Sequence, residues 1–152
     1  MSKMYLFIPV TNDRYSPGFT RIKESVLQWQ FAKFVANEFK NRFQKVIDRQ
    51  SIHWKPLSHE YLLYKERHGL SLKVWEATGL IKRSICVRQR NGYLEIGPDK
   101  RKKHKGVSIT DIAFYMEYGT SRMPARPIFR PVLRSLRRDY SMLLNKFLKG
   151  VK

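Results

Sequence analysis

The chain predicts an α+β single domain built from a long N-terminal amphipathic helix, a small antiparallel sheet and a C-terminal helix. Three observations carry that expectation. Apolar residues recur at spacings of three and four from about residue 20 to 50, and again from about 128 to 148. Between these stretches, residues 84–90 alternate, Asn91-Gly92 supplies the preferred pair for a two-residue hairpin turn, and Tyr93-Leu94-Glu95-Ile96 follows. At 152 residues, with 42% apolar and 13% aromatic side chains, the chain can bury one core, which sets it apart from a disordered basic tail.

Taken in order, residues 4–10 read as a short strand or an extended arm, and 11–18 have the Asn, Asp, Ser, Pro and Gly content of a loop. The first helix places Leu27, Phe31, Phe34, Val35, Phe39, Phe43, Val46 and Ile47 on one wide face, the spine of the core. After a connector ending near Pro56, Ser58 is the expected N-cap of a second helix that stops at Gly69. Ser71 is expected to cap a short third helix carrying Val74 and Trp75 and ending near Gly79. In the hairpin, Ile85, Val87 and Gln89 fall on one side, and Cys86, Arg88 and Arg90 on the other. The segment 98–106 is a basic loop, and 108–118 is a further helix with Ile112, Ala113, Met116 and Tyr115 inward. A single last helix, about 128–148, buries Phe129, Val132, Leu133, Leu136, Tyr140, Leu143, Leu144 and Phe147.

Charge narrows the function. The formal net charge is +19, from 31 Lys and Arg against 12 Asp and Glu, and it favours a polyanionic neighbour. Two segments concentrate it. The loop Lys100, Arg101, Lys102, Lys103, Lys105 is a phosphate-contact candidate, since sequence-independent binding needs only clustered cations; the alternative is a solvated connection without fixed structure. Arg130, Arg134 and Arg138, four apart, form one exposed stripe that faces nucleic acid, acids of a neighbouring subunit or simply solvent, the default that the scarcity of nearby acids weakens.

Catalysis finds no foothold. His53, His59, His68 and His104 lie in connectors or near helix ends without a partnered nucleophile, and no phosphate-cradling Gly loop, zinc-protease helix or nucleophile elbow occurs. One cysteine, Cys86, excludes an internal disulfide, and no Cys/His spacing suits zinc. A non-enzyme without cofactor or metal is expected. A small basic ribonuclease would need an acid–base pair that the sequence does not offer. No apolar run is long enough to span a bilayer and the N-terminus lacks a convincing secretory signal, so no membrane partner and a cytoplasmic site of synthesis are expected.

The stretch 115–133, YMEYGTSRMPARPIFRPVL, reads as a helix end, a Gly119-Thr120 stop and a basic loop stiffened by Pro124 and Pro127, with Pro127 or Pro131 in the first turn of the last helix. It resembles the neck, or tail-completion, proteins of tailed bacteriophages. A second stretch agrees: Trp54-Lys55-Pro56-Leu57, then Lys65, then Thr78-Gly79-Leu80 leading to Ser84-Ile85, is similar to the pattern of phage virion-morphogenesis and tail-completion proteins. The positions matching the family's helix end and Arg-Pro-Phe entry are Glu117, Gly119, Thr120, Arg126, Pro127 and Phe129, with Ile128 interposed. The N-terminal arm and the basic loop depart from the pattern.

The resemblance implies a virion component made in the host cytoplasm and placed at the neck. It would form a homo-oligomeric ring of about six or twelve copies, set up before or only on assembly, between a portal or head-completion protein and a tail tube or tail terminator. DNA would pass through the centre. Glu117, Gly119, Thr120, Arg122, Pro124, Arg126, Pro127 and Phe129 would then serve contacts between subunits or rings; the basic loop, on which the family says little, and the arginine stripe are candidates to face that DNA on their charge alone. The rival expectation is a non-enzymatic, sequence-independent nucleic-acid-binding protein.

Overall fold

The computed structural model describes residues 6–9, 18–90 and 93–150 and has an α+β architecture. Helix α1, Gly18–Arg49, is the spine. Its buried seam is Ala32, Ala36, Phe39, Phe43 and Ile47, a run of i, i+4, i+7, i+11 and i+15 positions. Two alanines in that seam let neighbouring segments approach closely. Leu27, expected on the apolar face, is exposed instead.

Strands β1 (Leu6–Pro9), β2 (Ile85–Arg90) and β3 (Tyr93–Pro98) form an antiparallel sheet in the order β1-β3-β2. The expected hairpin is present, pairing Arg90 with Tyr93 and Val87 with Ile96, although its turn residues Asn91 and Gly92 lie outside the described residues. The N-terminal stretch resolves in favour of a strand, with Leu6 opposite Ile96. As the central strand, β3 is buried on both faces. Leu94 and Ile96 join the core with Ile85, while Glu95, only 3% exposed, faces the opposite way.

Helix α2, His59–Arg67, starts as expected: the Ser58 hydroxyl accepts from the Tyr61 N–H, and Gly69 follows with φ 62°. The third helix falls elsewhere. Residues 71–78 are turns, and the short helix α3 is Leu80–Ser84. The reason is local. Trp75 sits at φ 64°, the Ser71 N–H donates to the Ala77 carbonyl, and the Lys65 ammonium draws in the carbonyls of Lys73 and Glu76. These bonds close a loop around Lys65 in place of a helical ladder.

The basic segment is also ordered. Strands β4 (Lys103–His104) and β5 (Val107–Ser108) form a two-stranded ladder, and Lys105 and Gly106 both have positive φ, as a tight hairpin turn requires. Helix α4, Ile109–Tyr118, is capped by the Ser108 hydroxyl and buries Ile109, Ala113 and Glu117. Tyr115, expected inward, is exposed.

The last helix is two: α5 (Phe129–Arg138) and α6 (Tyr140–Gly150), divided at Asp139. Asp139 Oδ2 accepts from Arg42 Nη1 at 2.8 Å, which ties the break to α1. The core between α1 and α5 is aromatic: Phe129 lies 4.9 Å from Phe43 and 6.0 Å from both Phe39 and Trp75, ring centre to ring centre. A second cluster, Phe31, Phe34 and Phe147, joins α1 to α6, with Tyr140 edge-on to Phe31. Tyr140 is nonetheless largely exposed, where the helical spacing had placed it inside.

Candidate assembly loop and cationic hairpin

The loop between α4 and α5 is fixed from four sides. It begins at Gly119, with φ 78°; a Cβ there would stand 2.7 Å from the Ala125 nitrogen and 2.8 Å from the Met123 carbonyl oxygen, so only glycine fits. Thr120 and Met123 then bridge through N–H···O bonds of 2.8 and 3.3 Å, and the Thr120 hydroxyl accepts from the N–H groups of Arg122 and Met123. Pro124 is half-buried, while Ser121, Arg122 and Ala125 point to solvent.

The loop's second half is held by Glu117, whose side chain is fully buried. One carboxylate oxygen accepts from the N–H groups of Ile128 (2.7 Å) and Phe129 (3.0 Å), and the other from the N–H (3.1 Å) and Nε (3.2 Å) of Arg130. Ile128, at the N-cap position, offers no side-chain cap of its own. An acid from the preceding helix therefore satisfies the orphan donors at the start of α5 and matches the positive end of its dipole.

Arg126, 4% exposed, holds the other side. Its N–H donates to the Met116 carbonyl, and its guanidinium donates from Nε to Lys55 O (2.8 Å) and from Nη2 to Pro56 O (2.9 Å). Two indoles complete the clamp: Trp75 Nε1 donates to Arg126 O and Trp54 Nε1 to Pro127 O, each at 2.7 Å. The stretch at Trp54-Lys55-Pro56 and the stretch at 117–129, far apart in sequence, are thus hydrogen-bonded to each other.

Of the residues expected at an interface, Glu117, Arg126 and Phe129 are interior and act within the chain. Gly119, Thr120 and Pro127 shape the loop, and Arg122 is displayed by it. What the sequence reading missed is the role of Trp54, Trp75 and Lys65. Buried indole N–H groups need acceptors, and a proline-rich loop, whose carbonyls lack helical partners, is where acceptors are free.

The cationic candidates divide as well. Lys100 pairs with the buried Glu95 at 3.2 Å, and Arg101 folds back on Asp99, which also takes Arg88 at 3.0 Å. Hydrogen bonds from the Arg101 side chain and backbone, with Arg88 behind them, hold the Asp99 carboxyl at about 2. Lys102, Lys103 and Lys105 are exposed on the β4–β5 hairpin without an ion-pair partner among the described residues. The arginine stripe is not uniform. Arg130 is engaged by Glu117 and lies over the Tyr118 ring, Arg138 pairs with Asp139, and Arg134 is exposed.

Among the described residues no group of three or more His, Cys, Asp or Glu side chains converges as a metal site would need, and no helix is long and apolar enough to cross a membrane. Burial pushes the half-buried Cys86 thiol up, the opposite direction from an activated thiolate.

No family model matches the chain, and no solved structure matches it. It is similar to an uncharacterized protein of Methanocaldococcus jannaschii, 25% identical over 128 residues that make up 83% of this chain and 90% of the relative.

Proposed function

We propose that the chain is a structural subunit of a ring at the head–tail interface of a tailed phage or a related contractile particle, through which DNA passes. The observation that supports this reading most is the clamp. The two stretches that resemble neck and tail-completion proteins meet through Arg126, Trp54 and Trp75, and Glu117 fixes where α5 begins. A loop held at that many points and displaying Arg122 is suited to repeated, geometrically identical contacts, as a closed ring demands. The work is mechanical and electrostatic, with no catalytic step.

The test is the copy number in purified particles, by quantitative mass spectrometry. A small fixed number per particle, matching one ring, is the expected result. Absence from mature particles removes the ring reading.

The second reading, a sequence-independent nucleic-acid binder, rests on the hairpin lysines Lys102, Lys103 and Lys105. It predicts binding to free duplex DNA with steep salt dependence and no fixed place in a particle.

A further inference from the structure

Between the connector at 55–58, helix α2, the loop at 74–78, helices α3 and α4 and the turn at 122–124 lies an open cleft of about 680 Å³. That is the size of a ligand site, and the walls are mostly apolar, with Trp75, Ile81, Ile112, Met116, Met123 and Pro124 among them. Two cations line it and are almost fully buried: Lys65, 2% exposed, and Arg126. Neither has a carboxylate within hydrogen-bonding distance among the described residues. Lys65 Nζ donates to the carbonyls of Lys73 (2.8 Å) and Glu76 (3.0 Å), and Arg126 to those of Lys55 and Pro56.

Carbonyl oxygens satisfy the hydrogen bonds without neutralising the charge. Arg126 Nη1 has no acceptor at all among the described residues. Burial holds both groups below their usual pKa; at Lys65 the nearby Glu76 opposes that shift and Arg126 adds to it. At the rim stand Lys55 and Arg122, both exposed. Glu76 is the one acid in the lining, against four cations.

We propose that this cleft docks an extended segment of a partner protein, one that sets a bulky apolar side chain against Trp75, Ile112 and Met116 and a carboxylate towards Arg126 and the rim. Charge complementarity selects this occupant. A nucleic-acid backbone could meet the cations but would set phosphates and sugars against the apolar walls and bring no bulky apolar group to fill them. A second copy of the chain is a weaker fit, since six of its twelve acids, Glu38, Asp48, Glu95, Asp99, Glu117 and Asp139, are already ion-paired within it. An acidic, apolar segment provides both the hydrophobic anchor and the counter-charge that the cleft lacks. This inference does not depend on the ring reading.

The experiment pans a random-peptide library on the full chain, then measures a fluorescein-labelled selected peptide by anisotropy. Enrichment of peptides that combine a bulky apolar residue with Asp or Glu is expected. Ile112→Glu, and separately the surface pair Lys55→Glu/Arg122→Glu, should each weaken binding by about tenfold or more, whereas Lys102→Glu/Lys103→Glu on the hairpin should not. The rim pair keeps the test decisive if Ile112→Glu perturbs folding. Purely acidic peptides whose binding follows the hairpin lysines would overturn the proposal, as would no enrichment or binding indifferent to the cleft variants. Full displacement by millimolar decanoate, at an affinity equal to the peptide's, would make the cleft a small-molecule site and likewise overturn it.

Discussion

Glu117 carries more of the loop than any other side chain, because it is at once a buried anion and the N-cap of a helix to which it does not belong. Replacing it with alanine strands the N–H groups of Ile128 and Phe129 in the interior and frees Arg130 from its carboxylate. By the usual cost of unpaired buried donors, Glu117→Ala should lose about 3 kcal/mol of folding stability, and Glu117→Gln, which keeps one acceptor oxygen, about half that. Urea unfolding midpoints of the three proteins check the order. None of this was legible in the sequence. The Glu-Tyr-Gly-Thr string marks a helix end, and the need for a glycine at 119 followed from that alone. The partner of the carboxylate, eleven residues on, is set by the fold of the loop between them. Arg126, expected among the subunit contacts, is interior for the same reason: the carbonyls of Lys55 and Pro56, distant in sequence, make its burial tolerable.

At the scale of elements, periodicity found the long ones and missed the short. Helices α1, α2 and α4 and the β2–β3 hairpin followed from spacing, caps and turn chemistry. The turns at 71–78 did not, because Ser71 is a fair cap and the decisive interactions, from Lys65, come from a different helix. The basic hairpin was hidden because two-residue strands built from Lys, His, Val and Ser carry no β pattern to read. Its anchor, Asp99, leads to a prediction in pH. Its folded-state value is depressed from 3.8 to about 2, so the group stabilises the fold fully above about 4, and that contribution is lost as pH falls through about 2. Acid titration followed by carboxyl NMR should show Asp99 titrating near 2, with the β4–β5 amides shifting over the same range; Asp99→Asn should remove that step. The division of the last helix follows a similar rule, since Asp139 is tied to Arg42 on α1. In denaturation experiments Arg42→Ala and Asp139→Ala should each destabilise and be non-additive when combined. Arg138→Ala, whose pairing with Asp139 is exposed, should have a smaller effect and little coupling.

For the whole molecule, the question is where a net charge of +19 is spent. Acids of the chain pair with Arg42, Lys82, Arg88, Lys100, Arg101, Arg130 and Arg138, near-neutral pairings that leave nearly the whole excess on the remaining cations. Pairing therefore decides where the excess is displayed, and it makes the arginine stripe less uniform than its spacing suggests. What the pairing leaves displayed on one small ordered element is Lys102, Lys103 and Lys105. These lysines bear little of the fold, so the triple variant Lys102→Glu/Lys103→Glu/Lys105→Glu should unfold at nearly the same urea concentration as the natural chain. If they meet phosphates, each contributes about one unit to the slope of log K against log salt, and the variant's slope for duplex DNA should be shallower by about three. The change should be the same for unrelated DNA sequences, since phosphate contacts position without specifying. A slope unaltered by the triple change would move the DNA-facing role to Arg134 and the rest of the C-terminal helices. An affinity that falls for one DNA sequence and not another would mean that the hairpin reads bases, which its short lysine-bearing strands are not built to do.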